Sequence, residues 1–184
     1  MRTGLARAVV IALASVAGGA RAEAPAALAP LRFLLGEWRV VPSGKPGEAT
    51  GSATFASSLQ DRVILRFSYA EYPALASRDA FRHDDLMVIH ADASAQLRAD
   101  YWDNEGHIVH YLVQPRGSDE VVFLSEAPAS EPHYRLTYKL APDGTLGGRF
   151  EISPAGAAET FITYLTWSSR KVSRDHAETQ HTRE

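Results

Sequence analysis

The residues best suited to chemistry lie in one predicted hairpin, over residues 96–114. A three-residue loop at 104–106 would place Asp100 directly opposite His110 on the next strand. Opposed residues have Cβ atoms about 5 Å apart, so these two side chains would touch. An aspartate that orients a histidine is the arrangement of a general base. Asp100 and His110 are therefore the catalytic candidates if they face inward, and a solvated ion pair if they face outward.

The two faces of this hairpin resemble each other. The same register pairs Tyr101 with Val109 on one face and Trp102 with Ile108 on the other, so both faces carry apolar side chains. The sequence therefore leaves open which face is inside, and with it the catalytic hypothesis.

The histidines do not form a metal-binding pattern. His107 and His110 are three residues apart, so on a strand they point to opposite faces and cannot share a metal ion. His90 alternates with Leu86 and Val88, a setting more typical of a hydrogen-bonded core histidine than of a ligand. The sequence predicts no metal site and keeps His90 as a candidate to contact a bound molecule.

Aromatic residues dominate the apolar faces of the predicted strands. Tyr138 lies on the apolar face of segment 133–140, and Phe67 lies on the apolar face of segment 62–70, opposite Arg66. An aromatic interior with a few hydroxyls is typical of a small-molecule pocket, and equally of a filled core. The candidates to bind a ligand are Arg66, Phe67, Tyr69, His90, Tyr101, Tyr111 and Tyr138.

Short segments with strand character, separated by turn signals, must position these residues. Such a succession predicts one all-β domain, an up-and-down antiparallel β-barrel of about eight to ten strands. The connection 71–83 is longer and would form a lid at one rim, or an ordinary surface loop. The predicted strands are 37–42, 49–58, 62–70, 84–91, 96–102, 107–114, 119–125, 133–140, 145–153 and 160–168.

Composition narrows the classes of function. The chain has 184 residues, a formal net charge of −3 and no cysteine. The lack of cysteine excludes disulfides, thiolate metal sites and cysteine nucleophiles. A near-neutral charge without a long basic run argues against nucleic-acid binding.

The N-terminus has the pattern of a secretory signal peptide. Arg2 and Arg7 supply a positive n-region before a short apolar run over 8–17, and Ala20-Arg21-Ala22 is typical of a cleavage site. We therefore expect a periplasmic or secreted protein whose mature form has no membrane span, with an uncleaved anchor as the alternative. The predicted organisation is a signal peptide at 1–22, an Ala/Pro linker at 23–30, the barrel at 31–170 and a disordered polar tail at 171–184.

The stretch LLGEWRV, residues 34–40, resembles the start of a calycin barrel. Its Gly36-x-Trp38 pair, which enters the first strand, is similar to the pattern in lipocalins, fatty-acid-binding proteins and nitrobindin-like barrels. The resemblance implies that Trp38 closes one end of the barrel and packs against a basic residue near the last strand, for which Arg170 is the candidate. It also implies a lumen that takes a small hydrophobic or amphipathic molecule.

Four functions stay open at this point. The leading hypothesis is an exported barrel that binds a small, mostly apolar molecule and needs no cofactor. The second is an isomerase, cyclase or hydrolase that uses the Asp100–His110 pair. The third is a nitrobindin-like haem barrel, although the last predicted strand lacks the late histidine of that family, so His90 or His110 would have to replace it. The fourth is an assembly module with a filled interior, interacting through an outer apolar face such as Met87 and Ile89.

Overall fold

The computed structural model describes residues 24–45, 47–157 and 160–173. The predicted signal peptide and the predicted polar tail beyond residue 173 lie outside the described residues. Within the described part of the chain, no helix has both the length and the apolar character needed to cross a membrane.

Ten antiparallel strands form a closed barrel. Each strand pairs with the next one along the chain, and the first pairs with the last, which leaves no open sheet edge. The prediction of a single up-and-down antiparallel barrel is therefore confirmed. The strands are β1 (Gly36–Val40), β2 (Thr50–Ser58), β3 (Val63–Tyr72), β4 (Phe81–Ala91), β5 (Leu97–Asp103), β6 (Ile108–Arg116), β7 (Glu120–Ser125), β8 (His133–Leu140), β9 (Thr145–Ser153) and β10 (Ile162–Lys171).

The register of the β5–β6 hairpin agrees with the prediction. Asp100 pairs with His110, Tyr101 with Val109, and the turn at Gly106 has a positive φ of 93°. Glycine adopts that φ without steric cost, so the three-residue loop fixes the pairing of the whole hairpin.

The two ends of the barrel differ in their connections. Four turns of three to five residues lie at one end, which we call the closed end: 59–62, 92–96, 117–119 and 141–144. The opposite end, which we call the open end, carries the other connections: 41–49, 73–80, 104–107, 126–132 and 154–161. The predicted 71–83 loop belongs to the open end, but β3 and β4 extend into it and leave only a tight hairpin tip at 73–80.

A 3-10 helix (Ala29–Leu34), preceded by one helical turn, α1 (Ala24–Ala27), plugs the closed end. Leu28, Leu31 and Leu34 are almost fully buried, because a spacing of three residues puts them on one side of a 3-10 helix. The prediction of a linker over residues 23–30 is therefore wrong for residues 24–30, which begin this plug. The Ala/Pro-rich composition of residues 23–30 did not indicate that Leu28 is buried.

Side chains fill the lumen from the closed end to about mid-height. The most deeply buried inward residues of this half are between 0 and 5% exposed: Ile64, Met87, Ile89, Ala99, Tyr111, Val113, Val121, Phe123, Leu136, Tyr138 and Leu146. Their rings meet edge to face in a continuous chain, from Phe55 through Tyr138 and Phe123 to Tyr111. This half is a packed core.

Two predictions about strand faces are wrong. On β3 the inward residues are Ile64, Arg66 and Ser68, whereas Phe67 is 54% exposed on the outer wall. On β4, Met87 and Ile89 point inward and are fully buried, so they do not form an outer apolar face. Both errors arise because the outer wall of β3 and β4 carries large apolar residues, so hydrophobicity alone does not distinguish the faces.

Candidate functional site

A buried arginine lies above the packed core. Arg66 points into the lumen from β3, and its side chain is 5% exposed. Its Nη2 donates to Oδ1 of Asp85 at 2.5 Å and its Nη1 donates to the hydroxyl of Tyr138 at 2.8 Å. Its Nε has no hydrogen-bond partner. An arginine is costly to bury without a partner, so the Asp85 carboxylate is essential to this arrangement.

Asp85 contacts both Arg66 and the polar side chains nearer the open end. The Asp85 side chain is 8% exposed, and its Oδ2 accepts a hydrogen bond from the Ser68 hydroxyl at 2.5 Å. The same oxygen lies 3.8 Å from Nε2 of His83. Antiparallel pairing of Ser68 with Asp85 on one face explains their contact.

His83 and Tyr101 form the upper layer of the cluster. Nδ1 of His83 lies 2.8 Å from a carboxylate oxygen of Glu105, and Nε2 lies 3.1 Å from the Tyr101 hydroxyl. A neutral imidazole that donates from Nδ1 to Glu105 must accept a hydrogen bond from the Tyr101 hydroxyl at Nε2. A protonated imidazole instead donates to both Glu105 and Tyr101. In the second case the Tyr101 hydroxyl donates to Asp103, whose Oδ2 is 3.1 Å away.

Asp103 closes the cluster at the rim. Its Oδ1 accepts from the backbone N–H groups of Glu105 and His107 at 3.0 and 2.9 Å. Its Oδ2 lies 2.8 Å from Nδ1 of His107. We call Arg66, Ser68, His83, Asp85, Tyr101, Asp103 and Tyr138 the polar cluster.

The protonation states follow from these contacts. Burial alone would lower the pKa of Arg66, but the adjacent Asp85 and the Tyr138 hydroxyl outweigh it, so that its pKa is raised and it stays charged. Burial raises the pKa of Tyr101 and of Tyr138, which stay protonated. Burial also opposes ionisation of Asp103, but hydrogen bonds from His107 and Tyr101 lower its pKa below the usual 3.8.

Aromatic and apolar residues near the open end are only partly buried. Tyr134 and Phe150 stack with ring centres 5.7 Å apart and are only half-buried. Beside them Tyr164 meets Phe150 edge to face at 6.3 Å and is 67% exposed, and Leu165 is 39% exposed. Polar groups on β3 to β5 thus face an accessible apolar wall on β8 to β10, the arrangement of an amphipathic binding site.

The catalytic candidates lie on the other side of the wall. Asp100 and His110 do touch, with Oδ1 and Nδ1 2.6 Å apart, but both point outward and the His110 side chain is 61% exposed. His90 is on the same outer face, with Nε2 3.3 Å from Oδ2 of Asp100. The condition on which the catalytic hypothesis depended, an inward-facing pair, is not met.

Phe67 and Tyr69 also lie on the outer wall, beside a groove of about 540 Å³. Its lining includes Thr54, Leu86 and Trp102, in the same cross-strand row as Phe67. The guanidinium of Arg82 lies 4.1 Å from the centre of the Tyr69 ring. These two ligand candidates therefore do not join the polar cluster, whereas Arg66, Tyr101 and Tyr138 do. Tyr111 belongs to the packed core below it.

Trp38 is buried at the closed end, where its Nε1 donates to the carbonyl of Leu34 at 2.6 Å. The predicted partner is off by one residue. Lys171, paired with Trp38 across the sheet, has its Nζ 5.3 Å from the centre of the indole ring. Arg170 faces outward and donates to Asp143, because successive strand residues point to opposite faces.

The histidines named in the haem hypothesis do not point into the lumen. His90 and His110, the two histidines it would use, both point outward, and the inward His83 has both ring nitrogens engaged. Among the described residues, no group of three or more histidine, aspartate or glutamate side chains is arranged to hold a metal ion.

Sequence reasoning missed His83, Asp85 and Asp103. A signal for them exists in the alternation of β4, because His83 and Asp85 share a face with Met87 and Ile89. The alternation alone does not tell which face of β4 points inward. It does so once Arg66 is known to point inward from the neighbouring β3, because paired residues share a face.

The chain matches no family model and no curated protein. Its resemblance to calycin barrels therefore stays a prediction, and the function is inferred from the geometry of the barrel itself.

Proposed function

We propose that this protein is an exported, soluble, calycin-like barrel that binds a small, mostly apolar molecule in the upper half of its lumen. The observation that carries the proposal is the buried, ion-paired Arg66 at the base of a lumen whose far wall is apolar and accessible. A barrel built only as a packed module would have no reason to bury this pair, since apolar residues of similar volume are often as stable there.

The two walls supply complementary contacts. The apolar part of the ligand would pack on Tyr134, Phe150 and Leu165, which are partly exposed in the free protein. The polar part would reach the hydroxyl of Tyr101 and the imidazole of His83. Removal of exposed apolar area from water would provide most of the affinity, and the polar cluster would orient the ligand.

A blocking substitution tests this proposal. Ala70 is half-buried on the inward face of β3, and it pairs with Gly51 and with His83. Ala70→Phe should fill the upper lumen and abolish binding of a decyl-chain ligand measured by titration calorimetry. The matched control is Ala56→Phe, at an exposed outward position of β2, which should bind as the wild type does.

The opposite pattern would contradict the proposal. If Ala70→Phe binds normally while Ala56→Phe or a substitution in the outer groove does not, the ligand binds outside the barrel. Native mass spectrometry of the protein purified from the periplasm of its host would then identify the bound molecule by its mass.

A further inference from the structure

The charges of the polar cluster restrict which ligands it can accept. We infer that the lumen takes neutral amphipathic molecules with a hydrogen-bonding head group, such as an amide or an alcohol, and discriminates against carboxylates. The inference rests on the proposed lumen binding and specifies its ligand class.

The cation of the polar cluster is already paired. Arg66 is the only arginine or lysine among the residues of the polar cluster, and its charge is neutralised by Asp85 at 2.5 Å. Its second terminal nitrogen donates to the Tyr138 hydroxyl. These contacts use two of its five N–H donors, but the group is enclosed, since Nε is buried and the whole side chain is 5% exposed. The Arg66 guanidinium therefore presents no edge that a ligand carboxylate could reach in the bidentate way that arginine favours.

The polar cluster also holds two buried carboxylates, since Asp85 and Asp103 are 8 and 3% exposed. A ligand carboxylate would add a third negative charge to this cluster and lose its hydration without gaining an unpaired cation from it. Both contributions weaken binding of an anion relative to a neutral head group of the same size.

A cationic ligand would meet carboxylates that already have partners. Asp103 accepts from the backbone N–H groups of Glu105 and His107, and its Oδ2 lies 2.8 Å from Nδ1 of His107 and 3.1 Å from the Tyr101 hydroxyl. Asp85 accepts from Arg66 and from Ser68. Neither buried carboxylate is open to pair with an ammonium group, and Glu105 at the rim is already 2.8 Å from Nδ1 of His83, so a charged amine would also be desolvated without full compensation.

A neutral head group meets neither difficulty. The Tyr101 proton and both His83 ring nitrogens already have partners, but a hydroxyl oxygen has two acceptor sites, so the Tyr101 oxygen can still accept a hydrogen bond from an amide N–H or an alcohol O–H. This layer is also the more accessible part of the cluster, since the His83 side chain is 24% exposed whereas those of Asp85 and Asp103 are 8 and 3% exposed. The ligand class thus follows from which groups remain free to bond.

The test is a titration of the wild-type protein with decanamide, decanoate and decylamine at neutral pH, followed by calorimetry. These ligands share a chain and differ in head-group charge. We expect decanamide to bind about tenfold or more tightly than decanoate. Equal binding, or tighter binding of decanoate or decylamine, would overturn the inference while leaving lumen binding intact. If none of the three binds, the proposed function itself is wrong.

Removing the charge of Asp85 tests the inference with the same three ligands. Asp85→Asn leaves Arg66 without its counter-charge, so the preference for decanamide over decanoate should fall about tenfold or invert. Asp84→Asn is the matched control, because Asp84 pairs with Arg82 on the outer wall, and it should keep the wild-type preference. An unchanged preference in folded Asp85→Asn would contradict the inference. The wild-type titration decides it even where this variant fails to fold.

Discussion

The closed and open halves of the barrel are built from the same ten strands, yet they have opposite interiors. In the closed half, a leucine-rich 3-10 helix and an edge-to-face chain of aromatic rings leave side chains almost fully buried. In the open half, inward residues such as Tyr134 and Phe150 remain half-exposed and charged groups replace aliphatic ones. The comparison indicates that buried packing is concentrated at one end, whereas the proposed binding site lies at the other, as is common where a rigid scaffold holds a site.

The largest effect should come from the closed end. Trp38→Ala removes a buried indole and its hydrogen bond to Leu34, and should lower the free energy of unfolding by roughly 4 kcal/mol. Urea denaturation measures this change. The matched control is Trp102→Ala on the outer wall, where the side chain is partly exposed and the loss should be well under half as large. Similar losses for the two variants would refute the plug.

The next effect lies at the boundary between the halves. Arg66→Met leaves Asp85 buried without a counter-charge and should cost roughly 3 kcal/mol. The double variant Arg66→Met with Asp85→Leu removes both charges and should recover most of that stability while losing selectivity among ligands. A double variant as unstable as the single one would show that the pair stabilises the barrel directly, and the case for a functional role would weaken.

A smaller effect depends on pH at the rim. Because hydrogen bonds lower the pKa of Asp103 in the folded protein below its usual 3.8, they stabilise the fold above that pH. The contribution disappears as the pH falls through the lower, folded pKa. Asp103→Asn should therefore be less stable than the wild type by on the order of 1 kcal/mol at neutral pH. The difference should narrow below about pH 4, and a constant difference down to pH 2 or so would exclude an ionised Asp103 as its cause.

The smallest effect separates two neighbouring cations. Lys171→Met removes the ammonium group above the Trp38 ring and should cost about 0.5 kcal/mol or slightly more. Arg170→Met removes only an exposed ion pair with Asp143 and should change the free energy of unfolding by a few tenths of a kcal/mol. If Arg170→Met has the larger effect, the assignment of Lys171 as the partner of Trp38 is wrong.

The fold could be predicted from the sequence because each of its signals is local. Turn residues such as Gly106 set the hairpin register, and alternation marked most strands to within two or three residues at each end. Trp38 was recognisable from the Gly36-x-Trp38 pattern at the start of the first strand. Its partner was not, because an error of one residue in register moves a side chain to the other face of the wall.

The site could be predicted only in part, because hydrophobicity does not mark the inside of this barrel. The outer wall presents Phe67 and Trp102, while the lumen contains Arg66. Arg66 is tolerated inside only because Asp85 reaches it from the neighbouring strand. A sequence analysis that treats each strand separately cannot detect such a charge pair between two strands.

The central claim is that a ligand enters the open half of the barrel, and chemical-shift mapping tests it most directly. The protein is labelled with 15N and 13C and titrated with the tightest-binding member of the decyl series. The account predicts shifts at His83, Tyr101, Tyr134 and Phe150, and none beyond noise at Phe55 or Phe123 in the packed half. Shifts confined to Phe67, Leu86 and Trp102 would place the ligand in the outer groove and contradict the account.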